Sequence, residues 1–233
     1  MTGRDAVNEV LKGRVAVVTG SSRGIGVSIA ADLSHADERL ALIDEVESRN
    51  GAVDIRVNNA AVSFFQPVSE FPPKRLQVML DVQVAAPMHL SQMVLAGMVE
   101  KGECRILNDS SRAALHPSIP PDSRRVGGTA YAMGQAAVER LSTGLASETY
   151  DDNVAVNALS PNLVVPTPGT LFHHLVSRDD ADQVVERPEV MAEAAFALCS
   201  APPQSRTGRI ADSQDMLDEL GMVVAGGSGE VAP

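Results

Sequence analysis

Short apolar runs alternate along this chain with longer stretches in which apolar residues recur at helical spacing. Val15–Val18 is a continuous apolar run ending in Thr19-Gly20, the pattern of a strand buried on both faces. Ser21–Gly26 is a glycine-rich turn, and Ile25–Leu33 opens like a helix. Glu38–Arg49 carries Leu40, Ile43 and Val46 on one helical face, and Asn50-Gly51 stops it. Val53–Val57 reads as the next strand, and Met79–Val99 as a long, Met-rich, lightly charged helix. Arg105–Leu107 begins a strand that runs into Asn108–Ser111. Ala114–Gly128 holds Pro117, Pro120, Pro121, Gly127 and Gly128 and is a loop. Ala130–Thr149 is a helix, Val154–Leu159 a strand broken by Pro161, Pro188–Cys199 a helix, and Gly208–Ala211 a last short strand. Strand and helix alternate throughout, which predicts an α/β fold: a parallel sheet with helices on both faces, in three layers. We expect one domain over residues 1–233, frayed from about residue 225, with no internal repeat.

The glycine-rich turn carries the first chemistry. Thr19-Gly20-Ser21-Ser22-Arg23-Gly24-Ile25-Gly26 follows a strand and opens a helix. Gly20 allows a tight turn, Gly24 lets the backbone approach a pyrophosphate, and Gly26 lets helix and strand pack closely. The helix N-terminus then turns unpaired N–H groups and a positive dipole end toward phosphate.

Several motifs in one order resemble the short-chain dehydrogenase/reductase family, from Leu11 to about Gly221. Thr-Gly-x-x-x-Gly-Ile-Gly is similar to that family's cofactor turn, with Gly20, Ser22, Arg23, Gly24, Ile25 and Gly26 at the cofactor positions. Asn58-Asn59-Ala60-Ala61 resembles its Asn-Asn-Ala-Gly segment, which places Asn58 and Ala60 beside the cofactor, and Asp32-Leu33-Ser34 resembles its segment near the adenine. Asn108-Asp109-Ser110-Ser111 and Tyr131-Ala132-Met133-Gly134-Gln135 resemble its catalytic strand end and Tyr-x-x-x-Lys helix. The resemblance implies a Rossmann-type doubly wound sheet and hydride exchange between NAD(P)(H) and a small carbonyl or alcohol substrate. It implies a tyrosine as general acid/base, a serine on the reacting oxygen, a lysine that binds the nicotinamide ribose and lowers the tyrosine pKa, and an asparagine holding a relay water. Tyr131 and Ser111 match the first two; each also fits a plain structural role, a half-buried helix tyrosine and a strand-end hydroxyl. Pro161-Asn162 stands where the family has Pro-Gly, and Thr167, one residue late, is the candidate carboxamide contact. A basic residue at the Arg23 position leans toward NADP(H), although Arg23 also reads as a solvated turn charge.

Two departures qualify the resemblance. Between Gly26 and Asn58 the family fits two further crossovers at about 30 residues each, and the chain offers only Val27–Val57. We therefore expect the second strand–helix crossover to be missing, about five strands in all, and Val15–Val18 at the sheet edge. The acidic or basic ribose reader should sit roughly 20 residues past the glycines; that distance lands on Asp44 and Glu45, which read as helix surface charges. At the catalytic centre the lysine position holds Gln135, with no lysine after Lys101, and the asparagine position holds Gln83. A neutral amide lowers a tyrosine pKa far less than a cation does. Glu139, one turn on, has the wrong sign to help. The alternative reading is a non-catalytic binding or subunit-partner member of the family.

Composition changes the picture little. A net charge of -11 argues against nucleic acid and anionic membrane surfaces. No apolar run reaches the roughly 18 residues of a membrane span, and Met1–Lys12 is no signal peptide, so a cytoplasmic protein is expected. Cys104 and Cys199 read as buried thiols, with no metal spacing around them. His173 and His174 are adjacent and cannot share a helix face as ligands; their segment reads as a substrate lid. The helix with Met79, Met88, Met93 and Met98 reads as core and subunit interface, in a homodimer or homotetramer.

Overall fold

Among the described residues, five parallel strands lie in the order of the chain, so each is joined to the next by a crossover. They are β1 (Ala16–Val18), β2 (Ile55–Asn58), β3 (Cys104–Asp109), β4 (Val154–Ser160) and β5 (Ile210–Asp212). The computed structural model describes residues 10–20, 31–124, 126–177 and 185–224. Helix α1 (Ala36–Asn50) joins β1 to β2. Helices α2 (Pro73–Leu80) and α3 (Ala86–Lys101), joined by a π-helical turn at Asp81–Ala85, lead to β3. Helix α4 (Thr129–Glu148) leads to β4, and α5 (Pro168–Phe172) and α6 (Pro188–Ser200) to β5, after which α7 (Ser213–Glu219) follows. β1 is an edge strand, and no strand lies beyond it among the described residues, as the short spacing to Asn58 requires.

The sheet's two faces bury different helices. Val17, Cys104, Ile106, Val154 and Val156 pack with Ile43 of α1, Leu90, Val94 and Met98 of α3, and Ala146 of α4. Ile55, Leu107, Leu159 and Ala211 pack with Val190, Ala194 and Leu198 of α6 and Met216 and Leu217 of α7. Three crossovers thus cover one face and the fourth covers the other, while the sheet grows in one direction. The β4–β5 crossover therefore has the opposite hand to the rest. The chain leaves β3 toward one face and β4 toward the other, and the space between the two exits is a crevice at the carboxyl ends of the strands.

Some expectations need correction. Ala31 and Asp32 are not helical and Leu33-Ser34 is a turn, so the helix expected to reach Leu33 does not extend that far; its earlier part lies outside the described residues. The long helix begins at Pro73, not Met79, and the continuous helical segment Pro73–Lys101 is by length and composition alone apolar enough to cross a membrane, contrary to the sequence expectation. It is a core helix instead: Met79, Val82, Ala86, Leu90, Val94 and Met98 are buried. Met88 is exposed, so the methionines divide between core and surface. Helices α5 and α7 were missed, being short and weakly periodic.

Opposite the crevice, a polar clamp ties the start of β1 to its neighbours. The Asp54 carboxylate accepts from Val15 N at 2.7 Å and pairs with Lys101 at 2.9 Å and Arg14 at 3.3 Å. Burial works to raise its pKa, but the Val15 N–H and the two cations outweigh burial and hold it below the usual carboxylate value. A depressed folded pKa gives stability that is present above the unfolded value and lost as pH falls through the folded one. Asp54→Asn should cost about 2 kcal/mol at pH 7. The gap to wild type should narrow below about pH 4, as measured by urea denaturation across pH.

Candidate active site

A chain of buried amides fixes the floor of the crevice. Asn58 Nδ2, at the end of β2, donates to Asn108 Oδ1 on β3 at 2.7 Å. Asn108 Nδ2 donates to Ser142 Oγ on α4 at 2.8 Å, and that hydroxyl donates to Val138 O at 2.8 Å. Asn58 Oδ1 is buried and has no partner among the described residues. Beside it, the chain after β1 is pressed against the chain after β2. Gly20 has φ +74°, and a Cβ there would stand 2.8 Å from Asn59 Nδ2 and 2.9 Å from Ala60 Cα. Asn59 Nδ2 donates to Thr19 O at 2.8 Å, and the Ala60 N–H reaches Thr19 Oγ1 at 3.3 Å.

Two pockets meet over this floor. One, of about 360 Å³, is lined by Asn58–Ala61, Gln83, Asp109, Ser110, Tyr131, Gln135, Pro161 and Thr167, with Pro188 and Met191 of α6. The other, of about 560 Å³, is lined by Phe65, Ser111, Arg112, Leu163, His173 and Leu175, among others. Ser110, Tyr131, Pro161, Val165 and Thr167 line both. Phe65 stands 5.5 Å from the Tyr131 ring and 5.1 Å from His173, so the lid segment forms an aromatic wall of the second pocket.

The electrostatics of Tyr131 follow from its neighbours. Burial raises the hydroxyl's pKa above its ordinary value; a hydrogen bond with Ser111 pulls it down, and Asp109 pushes it up. No cation acts on it among the described residues. Gln135 is buried and lines the first pocket. Glu139 is not the opposing charge: it accepts from Ser110 Oγ at 2.9 Å, and its own pKa is raised by burial. Sequence reasoning passed over Asp109. Its signal was a carboxylate ending an otherwise buried strand next to two serines.

Gln83 sits in the π-helical turn, buried, with Nε2 donating to Val62 O. Its Oε1 has no partner among the described residues and points at Gly134, where a Cβ would lie 2.4 Å away. The missing side chain at Gly134 accommodates the extra methylene of Gln83. The sequence carries no sign of this, because the two residues are 51 apart and meet only when the π-helical turn packs beside α4.

Of the sequence-based candidates, Asn58, Ala60, Gln83, Ser111, Tyr131, Gln135, Pro161 and Thr167 are brought to these pockets. Thr167 is also the N-cap of α5, accepting from Thr170 N. Asn162 is a structural clamp: its Oδ1 accepts from Gln214 N at 2.7 Å and its N–H donates to Glu186 at 2.8 Å. Asp32 lines neither pocket; it is exposed and accepts from Ser34 N and Oγ, an Asx turn. Ser22, Arg23, Gly24, Ile25 and Gly26 lie outside the described residues. Among the described residues no group of histidine, cysteine or acidic side chains could hold a metal.

Residues 27–171 match the model of the short chain dehydrogenase family. The chain belongs to that family, whose members are oxidoreductases of alcohol and carbonyl groups. It is 31% identical to dehydrogenase/reductase SDR family member 4 of Bos taurus over 222 residues, covering 88% of this chain and 71% of the relative. It is 29% identical to a 3alpha-hydroxysteroid dehydrogenase of Mediterraneibacter gnavus, covering 86% of this chain and 95% of that protein. That match spans 248 positions, more than the 233 residues present, so part of the relative has no counterpart in this short-chain dehydrogenase. A metagenomic short-chain oxidoreductase solved with NADP superposes with a TM-score of 0.66 at 25% identity, over 86% of this chain and 97% of that one.

The packing of Gln83 against Gly134 predicts coupling. Gly134→Ala should break the Gln83–Val62 hydrogen bond and destabilise. Gln83→Asn should relieve the clash, and a double-mutant cycle by thermal unfolding should give a coupling of about 1 kcal/mol.

Proposed function

We propose that this short-chain dehydrogenase is an NAD(P)(H)-dependent oxidoreductase of a small alcohol or carbonyl compound, with Tyr131 exchanging the proton and Gln135 slowing that exchange. The observation that carries this is the position of Tyr131, on the wall that the two pockets share and lining the second pocket together with Ser111. The residues present fit the nicotinamide half of the cofactor. The first pocket lies at the carboxyl ends of the strands, where such ligands bind, and Asn58 Oδ1 is an unmet buried acceptor beside it. When bound there, the nicotinamide supplies or takes up the hydride. A preference for NADP(H) is supported by Arg23 and by the likeness to the NADP-bound relative.

The chain's own residues divide the remaining work. The second pocket admits the substrate, with Phe65 and His173 as its aromatic wall. Ser111 Oγ holds the reacting oxygen, and Tyr131 Oη gives or takes its proton. Gln135 can hydrogen-bond a ribose hydroxyl, but it brings no charge to pull the tyrosine pKa down. Tyr131 therefore stays protonated at neutral pH: it can donate to a forming alkoxide but is a poor base for alcohol oxidation. Loss of efficient acid/base exchange costs about 10²–10⁴ in rate. We place the protein in the cytoplasm as a homodimer or homotetramer, without a membrane or nucleic-acid partner.

A second reading, a family member that binds cofactor without turnover, is favoured by one observation: Tyr131 has Asp109 and no cation acting on it among the described residues. Titration with NADPH, followed by nicotinamide fluorescence, should give saturable binding that Gly24→Asp abolishes. Tyr131→Phe should keep that binding and lower carbonyl reduction about 10²-fold or more. Gln135→Lys should raise turnover at least about tenfold and shift the basic limb of the rate profile to lower pH. Saturable binding without turnover by Gln135→Lys, across ketones and aldehydes, would establish the second reading.

A further inference from the structure

We infer that Asp109 makes the cofactor pocket distinguish the two redox states of the nicotinamide, holding the cationic oxidised ring more tightly than the neutral reduced one. This rests on the functional reading above. Side chains on a strand alternate between faces. Arg105 and Leu107 of β3 face α6, through the Arg105 bond to Ala201 O and the packing of Leu107 with Leu198. Asp109, two residues on, faces the same way at the carboxyl end of the strand and lines the first pocket with Pro188 and Met191 of α6. Among the described residues no ion pair or hydrogen bond holds its carboxyl. The second pocket, where the substrate enters, does not include it. An unpartnered carboxyl on the wall of the nicotinamide pocket calls for a cation, and the oxidised ring carries one.

The groups around Asp109 leave that requirement unmet. From α4, Tyr131 faces it, and Glu139 is held behind Ser110. From α6, Cys199 faces it, with a thiol that burial pushes up to about 12. Arg105, the nearby cation on its own strand, is engaged with Ala201 O and Glu103. From β5, Asp212 is paired with Arg112 at 3.4 Å. Burial pushes the Asp109 carboxyl up to about 7, although part of its surface reaches the pocket. A positive ring favours the carboxylate, so oxidised cofactor binds with release of a proton and gains affinity as pH rises through about 7. The neutral reduced ring only dries the carboxyl further, so its affinity does not rise with pH.

The test is calorimetric titration of the full chain with NADP⁺ and NADPH at pH 6, 7 and 8. The ratio of the two affinities should shift about tenfold toward the oxidised form between pH 6 and 8. It should become flat, and lower at pH 8, in Asp109→Asn. Independently of any variant, wild-type titrations at pH 7 in two buffers of different ionisation enthalpy should show about half a proton released with NADP⁺. This decides the matter if Asp109→Asn does not fold. Binding of both forms with a pH-independent ratio and no proton release overturns this inference and leaves the functional reading intact. Binding of neither form by folded protein removes both.

Discussion

Parallel strands cannot be joined by a tight turn; each needs a crossover, and the crossover must choose a face. In this chain three choose one face and the last chooses the other, and the site exists because of that change. With the strands in sequential order, the described sheet has no point at which strand order reverses, the usual origin of a binding crevice in such folds. The crevice comes instead from the divergence of the chain after β3 and β4. The Asn58–Asn108–Ser142 chain then fixes how deeply α4 sits against the strand ends, and so where Tyr131 and Gln135 stand.

The local electrostatics run opposite to what a tuned phenol needs. A cation beside a tyrosine favours the phenolate; here the nearby charge is Asp109, and burial adds to its effect. Around this point the raised carboxyls of Asp109, Glu139 and Asp212 are each partly desolvated. This balance favours the neutral hydroxyl of Tyr131 over the phenolate. The charge of Asp109 and the neutral amide at position 135 therefore act on one quantity, the sign of the field at the tyrosine hydroxyl.

The edge strand shows what the shortened cofactor half costs. Among the described residues β1 pairs on one side only, with β2, and its start relies on the Asp54 clamp as well as on the ladder. Arg56, fully buried in β2, donates to Val17 O and Val57 O, and burial lowers its pKa to about 9. Polar side chains thus brace backbone at the edge of the sheet.

The sequence by itself determined the alternation of strand and helix, the parallel sheet and the edge position of β1. Those follow from local periodicity and from chain length, which bounds how many crossovers fit. It also brought Tyr131, Ser111, Gln135, Gln83 and Asn58 together, because ordered motifs encode their spacing. A three-residue match did not reveal the Asx turn that Ser34 makes with Asp32, and the apolarity of Pro73–Lys101 does not say what that helix is buried against. Only the tertiary structure decided that Gly134 makes room for Gln83, that Glu139 is turned away onto Ser110, and that Asp109 is the charge facing Tyr131. Each depends on the depth and rotation at which one element packs on another, and a carboxylate's effect falls with distance and burial, which no local pattern records.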